Sequence, residues 1–265
     1  MMRYQRQDSK RRAHCRRSVF AAVMICAAIP AAIALSGCAG RFGGGPASAD
    51  DKVYLHKVEE GETLEDIAED YYGTRKRARL IRDFNDVKDG DLAPGTVLRV
   101  PMNRSDVERL KTREQARGPY NQGLVLAEQG AFVDAVNRFQ ESLAIDPAFV
   151  DANYNLGVTY QKMKSYERAL EQFQIVVRKR PARVAYHFAL GNCYFHLERY
   201  ADAAGSFKAV VARDGSHKKG QYSLAMSLEK LGERDKAIAA WQRYLQLDSR
   251  SAWAAEARKR LGRLK

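Results

Sequence analysis

The sequence predicts a small α+β domain followed by an all-α repeat array, both behind an N-terminal export segment. Three observations lead there. Glycine, alanine and aromatic residues recur every 34 positions through the second half of the chain. About fifty residues ahead of them read as strand, helix, helix, strand. The first 37 residues run from basic to apolar to small and stop at a cysteine.

The N-terminal segment, residues 1–37, holds seven basic residues, Arg3, Arg6, Lys10, Arg11, Arg12, Arg16 and Arg17, against one acid, Asp8. An uncharged run follows, "SVFAAVMICAAIPAAIALSG", and then Cys38. That order is the layout of a secretory signal. An uncleaved anchor is the competing reading, because ~20 apolar residues can span a bilayer. The closing "LSGC" resembles the lipobox of bacterial lipoproteins. The resemblance implies cleavage before Cys38, acylation of its sulfur and palmitate-type lipid attachment. It also implies a protein anchored in the cell envelope and facing the periplasm. Ala39 stands where that family uses Asp for inner-membrane retention, which favours the outer membrane. Cys15 and Cys26 would leave with the signal, so Cys193 alone remains and no disulfide framework is expected. Residues 38–52, rich in Gly, Ala, Ser and Asp, read as a lipidated flexible tether.

Residues 53–101 change texture. "VYLHKV" alternates, with Val53, Leu55 and Lys57 on one face and Tyr54, His56 and Val58 on the other. Glu60-Gly61 turns the chain, Thr63 is a helix N-cap with Asp66 three residues on, and Leu64, Ile67, Ala68 and Tyr71 share one helical face. Gly73 stops that helix. "RKRARLIRDFN" supplies a second, with Ala78, Ile81 and Phe84 as its stripe, and "TVLRVP" is a terminal strand after the turn-rich "DGDLAPG".

With "VEEGETLEDIA", "YYG", Asn85 and "LAPGTVLRVP" in register, this span resembles the LysM domain. The resemblance implies a βααβ fold binding N-acetylglucosamine-containing glycans, chiefly peptidoglycan. It places the contacts on Gly61, Glu62, Thr63 and Leu64, facing Asn85, Val87 and Leu92. A glycine turn admits close backbone approach to an acetamido group, and Leu64 and Leu92 would form an apolar wall. The plainer alternative is that Gly61 and Thr63 make only a turn and a cap. The five acids between Glu59 and Asp66 sit at a helix start and suit its dipole. They have no metal-ligand spacing, and no cofactor or metal is expected.

Residues 102–118 read as a polar helical linker with Ser105 and Glu108 as a capping box. From Pro119 the chain repeats. Gly123, Gly157, Gly191 and Ala225 are 34 apart, as are Ala135, Ala169, Ala203 and Ala237, and Phe139, Phe173, Phe207 and Trp241. The pattern L-G-x-x-Y…A-x-x-x-F…P, whole at Leu156-Gly157, Tyr160, Ala169, Phe173 and Pro181, identifies the region as similar to the tetratricopeptide (TPR) family. The reading is four TPR repeats over 119–251 and a capping helix over 252–265, with Trp253, Ala257 and Leu261 at helical spacing. Small residues let paired helices approach, and the Phe139 series is expected to fill the wedge to the next pair. Cys193 shares its frame with Val125, Thr159 and Ser227, so it reads as a small core residue.

Tyr120, Tyr154, Phe188 and Tyr222 also recur every 34 residues. In the TPR family that position faces the concave groove, so the resemblance makes them anchors for an unidentified protein partner. The alternative is that they pack between first helices. The family's carboxylate clamp is not expected: Asn155 fits it, but Tyr120, Leu124, Ala185 and Ala189 occupy other clamp positions.

The formal charge of +13 is split between the export segment and the region from Met102 onward, which has 28 basic and 18 acidic residues. Stretches such as "RKRPAR" read as solvated surface. A basic array behind an export signal suits acidic partners or head groups, and no nucleic acid is expected. No Ser/His/Asp, Cys/His or paired-carboxylate pattern recurs, so the chain reads as a binding scaffold and not an enzyme. It would join peptidoglycan to a protein, with the membrane reached through the lipid. The alternatives are a subunit of an outer-membrane assembly or secretion machine, or an accessory regulator of cell-wall enzymes.

Overall fold

The computed structural model describes residues 52–87 and 92–264; the expected export signal, Cys38 and most of the expected tether lie outside them. Strand β1, Lys52–Lys57, pairs antiparallel with β2, Val97–Met102, placing Lys52 opposite Met102 and Lys57 opposite Val97. Between them lie α1, Leu64–Tyr72, a 3-10 turn over Arg75–Arg77, and α2, Ala78–Asn85. Period-two alternation makes Leu98, Val100 and Met102 point inward onto Ile67, Ala68 and Ile81. The opposite face keeps Val53, Leu55 and Val97 exposed. Thr63 and Asp66 form the expected capping box, and Gly73 ends α1 in the left-handed region at φ 69°. Phe84 is half-buried, under the Arg99 guanidinium.

The linker and the first repeat helix are one helix, α3, Arg104–Glu128, which runs through Pro119 without a break at 118/119. Its cap is Asn103 with Asp106, not Ser105 with Glu108, because Asn103 is the last extended residue and its side chain meets the Asp106 N–H. Ser105 instead donates to Asn103 Oδ1.

Antiparallel pairs follow: α4, Phe132–Ile145; α5, Val150–Lys162, with α6, Tyr166–Lys179; α7, Val184–His196, with α8, Tyr200–Arg213; α9, Lys218–Lys230, with α10, Arg234–Leu247; and finally α11, Ala252–Leu264. Each pair is locked by an aromatic over a glycine. A Cβ on Gly123, Gly157 or Gly191 would come within 2.7–2.8 Å of the Phe139, Phe173 or Phe207 ring. All three rings are fully buried. Phe139 therefore lies over its own partner helix and also shares one buried cluster with Val150 and Leu156 of the next pair. Successive pairs are also joined by other groups: Gln140 Nε2 donates to the Tyr160 hydroxyl, and Gln174 Nε2 to that of Tyr194. In the last pair Ala225 replaces the glycine and Trp241 the phenylalanine, with the indole N–H donating to Glu229.

Cys193 is fully buried, accepts from the Gln161 amide at 3.2 Å, and its thiol is pushed up to about 11 by burial. The thiolate needed for reactivity is thereby disfavoured. On α11, Ala254 and Ala257 face inward; Trp253 is 61% exposed and meets the Tyr222 ring in a T-shaped contact. Among the described residues no helix is long and apolar enough to cross a membrane.

Candidate functional site

The turn after β1 is built by its own side chains. Gly61 sits at φ 71°, where a Cβ is strained, so a bulky probe there would test the backbone as much as any ligand. Buried Glu62 accepts from the Glu59 N–H at 2.9 Å and lies 2.8 Å from His56 Nε2, while His56 Nδ1 is 3.4 Å from the Tyr71 hydroxyl. Burial alone would raise the Glu62 carboxyl. The bonds from His56 and Glu59, with the nearby Arg183 charge, outweigh it and hold the group below its ordinary 4.5. The linkage sign follows: Glu62 contributes stability above about pH 4.5 that is lost as pH falls through its lower folded value. Glu62→Gln should cost ~1.5–3 kcal/mol at pH 7. In melting experiments the gap to wild type should narrow as pH falls from 7 into the acid range; a gap that does not narrow contradicts this role.

The other positions named from the sequence are also held by the domain itself. Thr63 Oγ1 accepts from the Asp66 N–H, and Leu64 is 7% exposed in the core. Asn85 staples α2 to β2, donating to Ile81 O and Arg99 O and accepting from the Arg99 N–H. Val87 and Leu92 are half-buried against the same core. Gly61 is exposed. The structure thus gathers these residues around one core and leaves the turn backbone most open.

A second set of residues was not singled out in the sequence. The acidic side of α1 is seated on the loop between α6 and α7. Arg180 places its guanidinium on both Asp70 carboxylate oxygens, Lys179 Nζ reaches Glu69 Oε1 at 3.0 Å, and Arg183 Nη1 donates to Glu60 O at 2.8 Å. In return Arg75 Nη1 donates to Lys179 O at 2.6 Å and to Asp66 Oδ1 at 2.9 Å. From α3, Arg113 bonds Asp146, lies 3.4 Å from Asp70 and stacks over Phe149. Arg180 is only 5% exposed; burial opposes its charge, and Asp70 with Asp151 outweighs that and keeps it protonated. "RKRPAR" is therefore not plain solvated surface: Lys179, Arg180 and Arg183 hold the first domain. One signal in the sequence marks it. Asp146, Asp214 and Asp248 occupy the position 34 apart from Arg180, and each caps its own loop by accepting a backbone N–H. Arginine breaks that pattern once, where the domain docks.

The aromatic series packs inward. Tyr120 lies against Phe139 and Phe149, Tyr154 against Phe173 and Tyr186, Phe188 against Phe207 and His217, and Tyr222 against Trp241, Tyr244 and Trp253. All four are half-buried. Asn155 spends its amide on the Tyr120 hydroxyl and Asp151 O. Among the described residues no group of three or more His, Cys, Asp or Glu could hold a metal ion.

Family models place this architecture. Residues 56–101 match the LysM domain, and residues 123–164, 154–218 and 220–251 match tetratricopeptide repeat models. The chain is a LysM domain joined to a TPR array. A search of curated proteins returns no significant match. Among solved structures, MamA 41-end from Desulfovibrio magneticus RS-1 aligns at TM-score 0.52 and 20% identity, over 58% of this chain and 83% of that one. YrrB, described as a TPR protein with an unusual peptide-binding site, aligns at 0.53 and 18%, over 61% and 82%. At such identities these likenesses show the repeat fold alone. LysM and TPR units are both binding modules, for glycans and for proteins respectively, and here they share an ionic interface.

Proposed function

We propose that the chain is a lipid-anchored cell-envelope scaffold that binds peptidoglycan through LysM and a protein partner through the TPR groove. The observation that carries this reading is the seat of the LysM helix α1 on Lys179, Arg180 and Arg183. Two binding modules held by several charged contacts keep a fixed separation, which is what a scaffold between wall and protein needs. Cys38, behind the Gly-rich tether, supplies the membrane attachment, and Ala39 directs it to the outer membrane. On the LysM side the exposed turn at Gly61, with Glu62, Thr63 and Leu64, faces Asn85, Val87 and Leu92. On the array, Tyr120, Tyr154, Phe188 and Tyr222 offer their uncovered edges to a partner.

Two measurements test the halves separately. Intact-mass analysis of the full chain from a bacterial envelope should find an acylated N-terminus at Cys38, and Cys38→Ser should leave the precursor unprocessed. An unacylated mature wild-type chain overturns the anchor. Residues 47–265 should sediment with purified sacculi; a folded protein that stays wholly in the supernatant overturns the glycan role.

A further inference from the structure

Where the LysM turn meets the array there is a cleft of about 410 Å³, walled by both modules. It lies within the roughly 300–1,000 Å³ range of small-molecule sites. From LysM come His56, Glu59, Glu62 and Tyr71; from the array come Tyr154, Tyr186, Arg117 and Arg183, with Ala185 at its edge. Glu62 of the turn and Tyr154, one ring of the aromatic series, meet here.

The lining decides what fits. Four arginines face four carboxylates, so the cleft carries no net charge to draw an anion or a cation. Three tyrosines give flat apolar surface, yet the polar groups around them would be left unsatisfied by a purely apolar ligand. A neutral ligand with an apolar face and a ring of donors and acceptors satisfies all of these conditions. A pyranose is such a ligand, with a C–H face for a tyrosine ring and hydroxyl or amide groups for guanidinium and carboxylate.

We propose that this interdomain cleft is a saccharide site in its own right, in which the TPR array contacts an N-acetylated pyranose of the same glycan that LysM holds. The proposal rests on the glycan reading of LysM. It goes further in making the repeats part of glycan recognition.

The test uses residues 47–265 and soluble N-acetylglucosamine oligomers of two to four units, read by titration calorimetry. Ala185 is exposed on α7, so Ala185→Trp plugs the cleft without removing a contact. Arg117→Ala removes a half-exposed cleft cation instead. Both variants should melt as wild type does and lose roughly tenfold or more in affinity, the plug by filling the cleft and Arg117→Ala by removing a hydrogen bond from a charged donor. Wild-type binding that both variants retain overturns the shared site and leaves the LysM role standing. Absence of oligomer and sacculus binding by the wild type overturns both. If the variants lose capture of a protein partner while sugar affinity is unchanged, the cleft belongs to that partner and the proposal fails.

Discussion

Arg180→Ala is expected to destabilise the chain by about 3 kcal/mol, the lower end of what breaking a buried ion pair costs. The lower end applies because Asp70 keeps 23% of its side chain exposed and water can reach it once the guanidinium is gone. The loss falls mainly on the docking of LysM, with a smaller share inside the array, where Arg180 also meets Asp151 and Tyr186. Thermal unfolding should therefore change in shape as well as midpoint: a single transition in wild type, two in the variant, with LysM melting first. Asp70→Asn should do the same to a smaller extent, and the double variant should cost less than the sum. A single, unshifted transition in Arg180→Ala would show that the interface contributes nothing to stability.

Phe173→Ala is expected to cost about 3–5 kcal/mol, because a fully buried ring is removed from between paired helices. Gly157→Ala attacks the same contact from the other side: its Cβ would stand 2.8 Å from the Phe173 ring, and overpacking of this kind costs about 1–3 kcal/mol. The combination Gly157→Ala with Phe173→Leu makes room for the methyl group and should recover part of the loss. Urea unfolding of wild type, Gly157→Ala, Phe173→Leu and the double variant gives the cycle; simple additivity would mean that glycine and ring do not lock each other.

The frame that carries the lock was legible in the sequence because it repeats, while the contact of glycine with ring was not. Gly157 and Phe173 stand in a frame that Gly123 with Phe139 and Gly191 with Phe207 copy at the same interval, so helix pairs, their order and the buried position of Cys193 all followed. The LysM elements were legible for a local reason: Thr63 with Asp66, and alternation in the first strand, are signals within a few residues. The interface was not. Asp70 and Arg180 are 110 positions apart, and no periodicity links a LysM helix to a repeat loop. Only the arginine standing where Asp146, Asp214 and Asp248 stand elsewhere hinted at it. The helix cap at Asn103 was misplaced for a smaller reason: Ser105 and Asn103 compete for one helix start, and the chain enters extended through Asn103.

The β1–β2 register has a mechanical consequence. Lys52, where the preceding chain enters, is paired with Met102, where the chain leaves for the array. Tension between an N-terminal attachment and a load on the repeats would pull on the same end of the ladder and peel its bonds one at a time, the weak direction for a two-stranded sheet. The Lys179–Arg183 contacts with α1 run in parallel with that ladder and carry force past it. With them closed, the pull is shared among several ion pairs; with Arg180 gone, fewer contacts stand beside the ladder and more of the load falls on the sheet.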